Sequence, residues 1–196
     1  MRTRNTGKEM LVKEKAIALL VEEGLDGFSM NKLARACSIS VATLYIYYRD
    51  KEDLIRQLGV EEGMKMTAAT MKNFDPAMPF DKGMKTQWEN RSVYWINNPV
   101  STGFLEALRH SPHGEYVNET ITASFRPIMQ KFVEKAIADK ELVPLPLEVF
   151  WSLAFGPLLT LIRFHREKKS VGQKPFIFSN KLMYQTLDLV LKALRP

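Results

Sequence analysis

The sequence predicts an all-α protein, with an N-terminal three-helix helix-turn-helix unit over residues 1–50 and a larger helical domain over 51–196. Three observations carry this expectation. Apolar residues recur at three- and four-residue spacing, proline- or glycine-bearing breaks separate the periodic stretches, and no alternating strand pattern of useful length occurs.

The first helix is expected from Lys8 to Glu23, where Val12, Ala16, Ile17, Leu20 and Val21 fall on one face and Gly24 follows as a C-cap. Ser29 caps a second helix, MNKLARAC, with Leu33, Ala34 and Cys37 inward. After the connector Ser38-Ile39-Ser40, a third helix, VATLYIYY, begins. Asp50 caps a fourth helix reaching to about Asn73, with Asp53 in a capping-box position. Two short helices joined by a three-residue turn and braced by a longer helix form the helix-turn-helix pattern. Beyond the loop NFDPAMPF, further helices are expected near 79–97, 101–110, 114–139, 147–168 and 176–194.

Composition narrows the function classes. A formal charge of +6 suits a polyanionic partner without establishing one. One cysteine, Cys37, excludes an intramolecular disulfide and fits a reducing cytoplasm. The basic opening MRTRNTGKEM lacks the apolar run of a signal peptide, and the apolar stretch at 149–162 falls short of the roughly 20 residues a bilayer span needs. It reads as a buried helix, and no membrane partner is expected.

The stretch SISVATLYIYYRDKEDL crowds three tyrosines into four positions. On the third helix Leu44 and Tyr48 would face inward with Ile39, leaving Val41, Ala42, Thr43, Tyr45, Ile46 and Tyr47 on or near the surface. A tyrosine so placed can lay its ring along a sugar or thymine methyl and hydrogen-bond a phosphate, and Thr43 can donate to phosphate as well. Lys51 and the amides of its helix start would converge on another phosphate. Lys32, Arg35, Arg49 and Lys51 against Asp50 make this side positive; the alternative is that Tyr45, Ile46 and Tyr47 pack on another helix.

The segment EEGLDGFSMNKLARACSISVATLYIYYRDKEDLI resembles the DNA-binding region of TetR-family transcriptional regulators. The resemblance covers about the first 55 residues. It rests on the glycine after helix one, Phe28-Ser29, Leu33-Ala34, Ile39-Ser40, Thr43-Leu44-Tyr45, Tyr47-Tyr48 and Lys51-Glu52-Asp53-Leu54. It implies a homodimer on a palindromic DNA operator, usually a repressor, released by a small-molecule effector; the residues themselves lead to no expectation of a cofactor or metal. It further implies phosphate contacts at Met30, Thr43, Tyr47 and Lys51, and base-edge or sugar contacts at Asn31, Val41, Ala42 and Tyr45. One departure is Ser38, where the family often has glycine. Arg2, Arg4 and Lys8 read either as a DNA-grasping arm or as a basic tail.

No sharp motif marks the C-terminal two-thirds. A pocket for an apolar or flat ligand would lie among its aromatic residues, with Trp88, Trp95, Phe104, Phe125, Trp151 and Phe155 as candidates; the alternative is a filled core. Arg91, three positions after Trp88, reads as a polar anchor or as a surface salt bridge. Pro157 is expected to kink its helix and free a carbonyl near Leu153. The last helix, with Leu182, Met183, Thr186, Leu187, Val190, Leu191 and Leu194, is apolar over more of its circumference than one core stripe needs, which implies a dimer partner. An enzyme is not expected: His110 and His113 sit about Pro112 in a loop without further ligands, and Cys37 faces inward. The remaining alternative is a helical interaction protein that no longer binds DNA.

Overall fold

The computed structural model describes residues 6–196. It is helical throughout: α1 (Thr6–Gly27), α2 (Met30–Ala36), α3 (Val41–Tyr45), α4 (Lys51–Thr70), α5 (Phe80–Asn97), α6 (Pro99–Arg109), α7 (Gly114–Ala138), α8 (Leu147–Glu167) and α9 (Asn180–Leu194). The only extended pairing among the described residues is an isolated bridge between Lys169 and Pro175, in the loop before α9. The third helix is shorter than the spacing predicted, because the chain turns after Tyr45 while Tyr48 is still drawn inward. At Gly24 the backbone enters the left-handed region (φ 74°), which breaks α1 where the sequence places its C-cap.

Two compact units share the chain without following its linear order. The first joins the residues up to Lys65 with Asn98–Ala123; the second joins Met66–Asn97 with Ser124–Pro196. The first unit has a core of Val12, Ala16, Ile17 and Leu20 from α1, Leu33, Ala34 and Cys37 from the second helix and its cap, Leu44, Tyr48, and Leu54, Ile55 and Leu58 from α4. Phe104 and Leu108 of α6 complete it. α4 lies tight against its neighbours because two glycines face them: a Cβ on Gly59 would stand 2.7 Å from Leu108 Cδ1, and one on Gly63 would overlap Cδ1 and Cγ1 of Ile121. Ion pairs tie α1 to α4, with Lys13 Nζ 2.7 Å from Glu61, and Ser101 of α6 donates to the buried Glu62 at 2.5 Å.

In the second unit α8 packs on α5 and α9 around Phe80, Met84, Trp88, Phe132, Phe150, Phe155 and Leu158. Phe80 stacks on Phe132 with centroids 5.6 Å apart, and its backbone N–H, at the exposed start of α5, donates to the Glu141 carboxylate at 2.8 Å. α8 continues through Pro157 as one helix, and beside the expected free carbonyl the Ala154 oxygen accepts the Trp88 indole N–H at 2.8 Å.

The apolar stretch at 149–162 lies within α8, whose 21 residues are long and apolar enough to cross a membrane by length and composition alone, as a core helix also can be. One side, Phe150, Ala154, Phe155, Leu158 and Ile162, is buried in the unit's own core, while Val149, Leu153 and Leu159 are exposed. The surplus apolar face expected on α9 is largely internal, since Met183, Leu187, Val190, Leu191 and Leu194 are all buried and Leu189 is the leucine left strongly exposed there.

Candidate functional site

The turn between α2 and α3 is a helix C-terminus closed in the Schellman manner. Ile39 N–H donates to the Ala34 carbonyl (3.0 Å) and Ser38 N–H to that of Arg35 (3.1 Å), with Ser38 in the left-handed region at φ 53°. Ser38 thus occupies the position where glycine carries no penalty. Ser29 and Ser40 cap the flanking helices, accepting from Lys32 N–H (3.3 Å) and Thr43 N–H (3.2 Å). α4 starts on a reciprocal box: Asp53 N–H donates to Asp50 (2.7 Å) and Arg49 N–H to Asp53 (2.9 Å). The hydrogen bond from Asp53 N–H holds the Asp50 carboxyl below its ordinary pKa, and that from Arg49 N–H does the same for Asp53.

This frame sets which side chains of α3 and its flanks stand exposed. Leu44 and Tyr48 are buried and hold α3 down, while Tyr45 and Ile46 stand out, 52% and 67% exposed. Asn31 and Ala42 are exposed as well; Val41, Thr43, Tyr47 and Lys51 are half-buried around them. The Thr43 hydroxyl shares a hydrogen bond with Ser40 at 2.9 Å, so it meets a further partner already oriented. Val41 and Tyr47 pack partly on the unit's core, and Thr43 and Tyr47 also line a cleft of about 180 Å³ with Lys8, Val12 and Cys37. Met30 is placed differently: its side chain is 6% exposed and belongs to the core, leaving its main chain as the group near the surface. Arg2 and Arg4 lie outside the described residues; Lys8 is exposed near the start of α1.

The positive balance is also redistributed. Lys32 pairs with Glu23 at 2.6 Å and donates to the Gly27 carbonyl, and Arg49 pairs with Asp50 at 3.2 Å. Arg35 and Lys51 form no ion pair among the described residues and carry the local charge. The Cys37 thiol is buried and its pKa pushed up by burial, the opposite of an activated nucleophile. Among the described residues no three histidine, cysteine, aspartate or glutamate side chains converge on a metal position.

The second unit gathers six of the seven aromatic-cluster candidates. Trp88 and Phe155 are fully buried; Trp95, Phe125 and Trp151 are half-buried at the rim. Trp151 lies 4.8 Å from Phe155 and 6.3 Å from Phe125, ring to ring. Arg91 is in their midst, its guanidinium 4.4 Å from the Phe155 centroid, 5.5 Å from Trp151 and 6.0 Å from Trp95. A surface salt bridge is therefore not what Arg91 makes: it is 7% exposed, its Nε has no hydrogen-bond partner, and burial alone pulls its pKa down to about 10. Phe104, the seventh candidate, belongs to the core of the first unit.

Residues 14–58, which span the α1-to-α4 frame just described, match the profile of bacterial regulatory proteins of the tetR family. Those residues resemble the family's N-terminal helix-turn-helix region. A relative from Haemophilus influenzae described as an uncharacterized HTH-type transcriptional regulator is 28% identical over 95 residues, 48% of this chain and 51% of the relative, so the aligned region spans about half the relative's length. Three solved structures share the fold. A TetR-family regulator from Marinobacter aquaeolei VT8 superposes with a TM-score of 0.80 at 21% identity, covering 100% of this chain and 99% of that one. One from Shewanella sp. PV-4, described as a putative tetR-family regulator, gives 0.77 at 20% over 96% and 98%. A TetR-family regulator from Haemophilus influenzae gives 0.74 at 19% over 100% of both. The tetR-family match covers the turn, α3 and the start of α4 and ends at Leu58, short of the aromatic cluster, so that cluster stands on this chain's own chemistry. Sequence reasoning missed Phe104, Leu108 and the glycine pair of α4 as parts of the frame; the spacing Gly59-x-x-x-Gly63 is the signal that could have found them.

Proposed function

We propose that this protein is a dimeric, ligand-responsive DNA-binding transcription factor of the tetR family, cytoplasmic and without enzymatic activity, which represses from a palindromic operator and releases it when an apolar or aromatic molecule binds. Residues 1–50 read DNA; residues 51–196 take the effector and dimerise. One observation carries the DNA reading: Asn31, Ala42, Tyr45 and Ile46 protrude from a frame held by three helix caps, with the unpaired Arg35 and Lys51 beside them. No structural need of the unit accounts for a tyrosine and an isoleucine more than half exposed on the same short segment. Tyr45 and Asn31 read base edges or sugars, Ala42 and Val41 offer apolar contact to thymine methyls, and Thr43, Tyr47, Lys51 and the Met30 main chain hold phosphates.

The exposed side of α8 supports the dimer. Val149, Leu153, Gly156 and Leu159 recur along one stripe, and nothing lies within 4 Å of a Cβ built on Gly156, which leaves room for a second helix. A two-fold pair through α8 and α9 is what would set two reading segments about 34–36 Å apart, one DNA turn. α4 runs from the first unit into the second, so an effector that tilts it changes that spacing. A ligand favouring the spread form by about 3–4 kcal/mol lowers operator affinity several hundredfold.

The test is selection of genomic fragments by the purified protein, footprinting, and a salt titration of the enriched site. A protected palindrome is expected, and Lys51→Ala lowers the log–log salt slope by about 1.8, two phosphates per dimer at about 0.9 each. Absence of any enrichment at low salt sinks the reading in favour of a helical interaction protein.

A further inference from the structure

Three buried side-chain polar atoms among the described residues lack a hydrogen-bond partner: Thr67 Oγ1, Gln87 Oε1 and Arg91 Nε. Gln87 and Arg91 lie on α5 and Thr67 on the last turn of α4, all three within the second unit. Gln87 and Arg91 are one turn apart on α5, and Gln87 is fixed against the end of α4 by its Nε2 bond to the Thr70 carbonyl at 3.0 Å. Asn90, beside Arg91, donates to the same carbonyl at 3.0 Å, and Thr67 lies one turn before Thr70. Orphaned groups are rare in folded proteins, and each calls for a cause.

Arg91 is the costliest of them. A guanidinium stays charged at neutral pH, and a buried charge is strongly unfavourable unless a counter-charge meets it. Among the described residues no carboxylate pairs with it; what surrounds it are the faces of Phe155, Trp151 and Trp95. Ring faces recover part of the lost hydration but accept none of the guanidinium's directed hydrogen bonds. A water molecule satisfies a donor and leaves the charge uncompensated. The half-buried Trp95, Trp151 and Phe125 at the rim supply the flat apolar walls that would accompany a charged head group.

We infer that the effector is an apolar carboxylate: its acid group pairs with Arg91, and its hydrocarbon or aryl body lies against Trp95, Trp151, Phe125 and Phe155. This rests on the proposed ligand-responsive reading and gives it a chemical class.

All three tryptophans of the chain, Trp88, Trp95 and Trp151, belong to this cluster, so tryptophan emission reports it alone. The experiment titrates the full-length protein with a panel of aryl and straight-chain monocarboxylates, phenylbutyrate and decanoate among them, each beside its primary amide, which keeps the shape and removes the charge. At least one acid is expected to change the emission with an affinity tenfold or more above its amide. Arg91→Met, similar in length and uncharged, abolishes that preference, and Arg91→Lys, which keeps the charge but not the planar fork, retains part of it. Acids and amides binding alike, no acid binding, or an undiminished preference in a folded Arg91→Met protein each overturns the inference. Retardation of the enriched DNA fragment is followed in the same preparations. Release by uncharged compounds with no acid preference leaves the regulator standing and removes the carboxylate, whereas acid-selective binding without an effect on DNA keeps the site and removes the ligand response.

Discussion

Replacing Gly63 with alanine pits two effects of opposite sign against each other. In the middle of a helix alanine is favoured over glycine by about 1 kcal/mol, so helix propensity alone stabilises the variant. Packing opposes it: the new Cβ would overlap both Cδ1 and Cγ1 of Ile121, and of the three nearest atoms only the Ile121 Cβ, at 3.6 Å, would stand at the roughly 3.5–4.0 Å where carbon atoms ordinarily rest. Ile121 is only 6% exposed, and a β-branched side chain on a helix has one strongly preferred rotamer, so it does not swing clear. Overpacking of this kind costs about 1–3 kcal/mol; the double overlap puts it at the upper end, leaving a net loss of about 1–2 kcal/mol. At about 2–4 °C per kcal/mol for a chain of this size, the midpoint of thermal unfolding falls by roughly 2–8 °C. Circular dichroism melts of the wild type, Gly63→Ala, Ile121→Ala and the double variant measure it. In the cycle Ile121→Ala opens space for the new methyl, and a favourable coupling of about 0.5–3 kcal/mol is expected. A rise in the midpoint for Gly63→Ala alone, or a coupling of zero, refutes the close approach of α4 and α7.

Ser38→Gly relieves the left-handed residue that closes α2, and raises stability by up to about 1 kcal/mol in chemical denaturation, offset in part by the freer unfolded chain; a loss of stability contradicts the strain at this turn. Asp53→Ala removes the acceptor of Arg49 N–H and Gln57. Because the folded Asp53 has a lowered pKa, its stabilisation is fully present above about pH 4 and is lost as the pH falls through the folded value, so the variant's deficit at pH 7 shrinks in acid; a deficit independent of pH argues against the role of the ionised carboxylate. Leu153→Glu sets a charge on the exposed α8 stripe and is expected to yield a monomer by light scattering, with operator affinity reduced; an unchanged dimer places the contact elsewhere. Arg91→Met removes a buried charge that no carboxylate offsets, so without ligand the variant melts higher than the wild type; a lower midpoint shows that the aromatic faces already offset the burial.

Much of the α2–α4 frame is legible in the sequence because its determinants are local. Ser29, Ser40 and Asp50 cap helices through atoms three residues away, and Leu44 and Tyr48 face inward by helical spacing alone. The fate of single side chains is less legible wherever a distant segment decides it. Met30 lies on a helix start that faces outward in sequence terms, yet its side chain joins the core formed with α1 and α4. Lys32 counts as surface charge until Glu23, nine residues earlier, is brought within 2.6 Å. The aromatic residues of α5, α6, α7 and α8 could be assigned to one cluster or to several, and composition does not separate Phe104 from the rest.

Periodicity, capping and turn chemistry act over a few residues, so the chain alone specifies the helical class, the helix-turn-helix spacing with its caps, and the tyrosine-bearing surface. Three other features exist only once distant segments meet. α6 completes the core of the first unit, α4 lies close enough to Ile121 to exclude a methyl group at Gly63, and Arg91 is buried among rings without a counter-charge. Burial and pairing are properties of surfaces brought together across long stretches of chain, and no residue's own neighbours in sequence encode them.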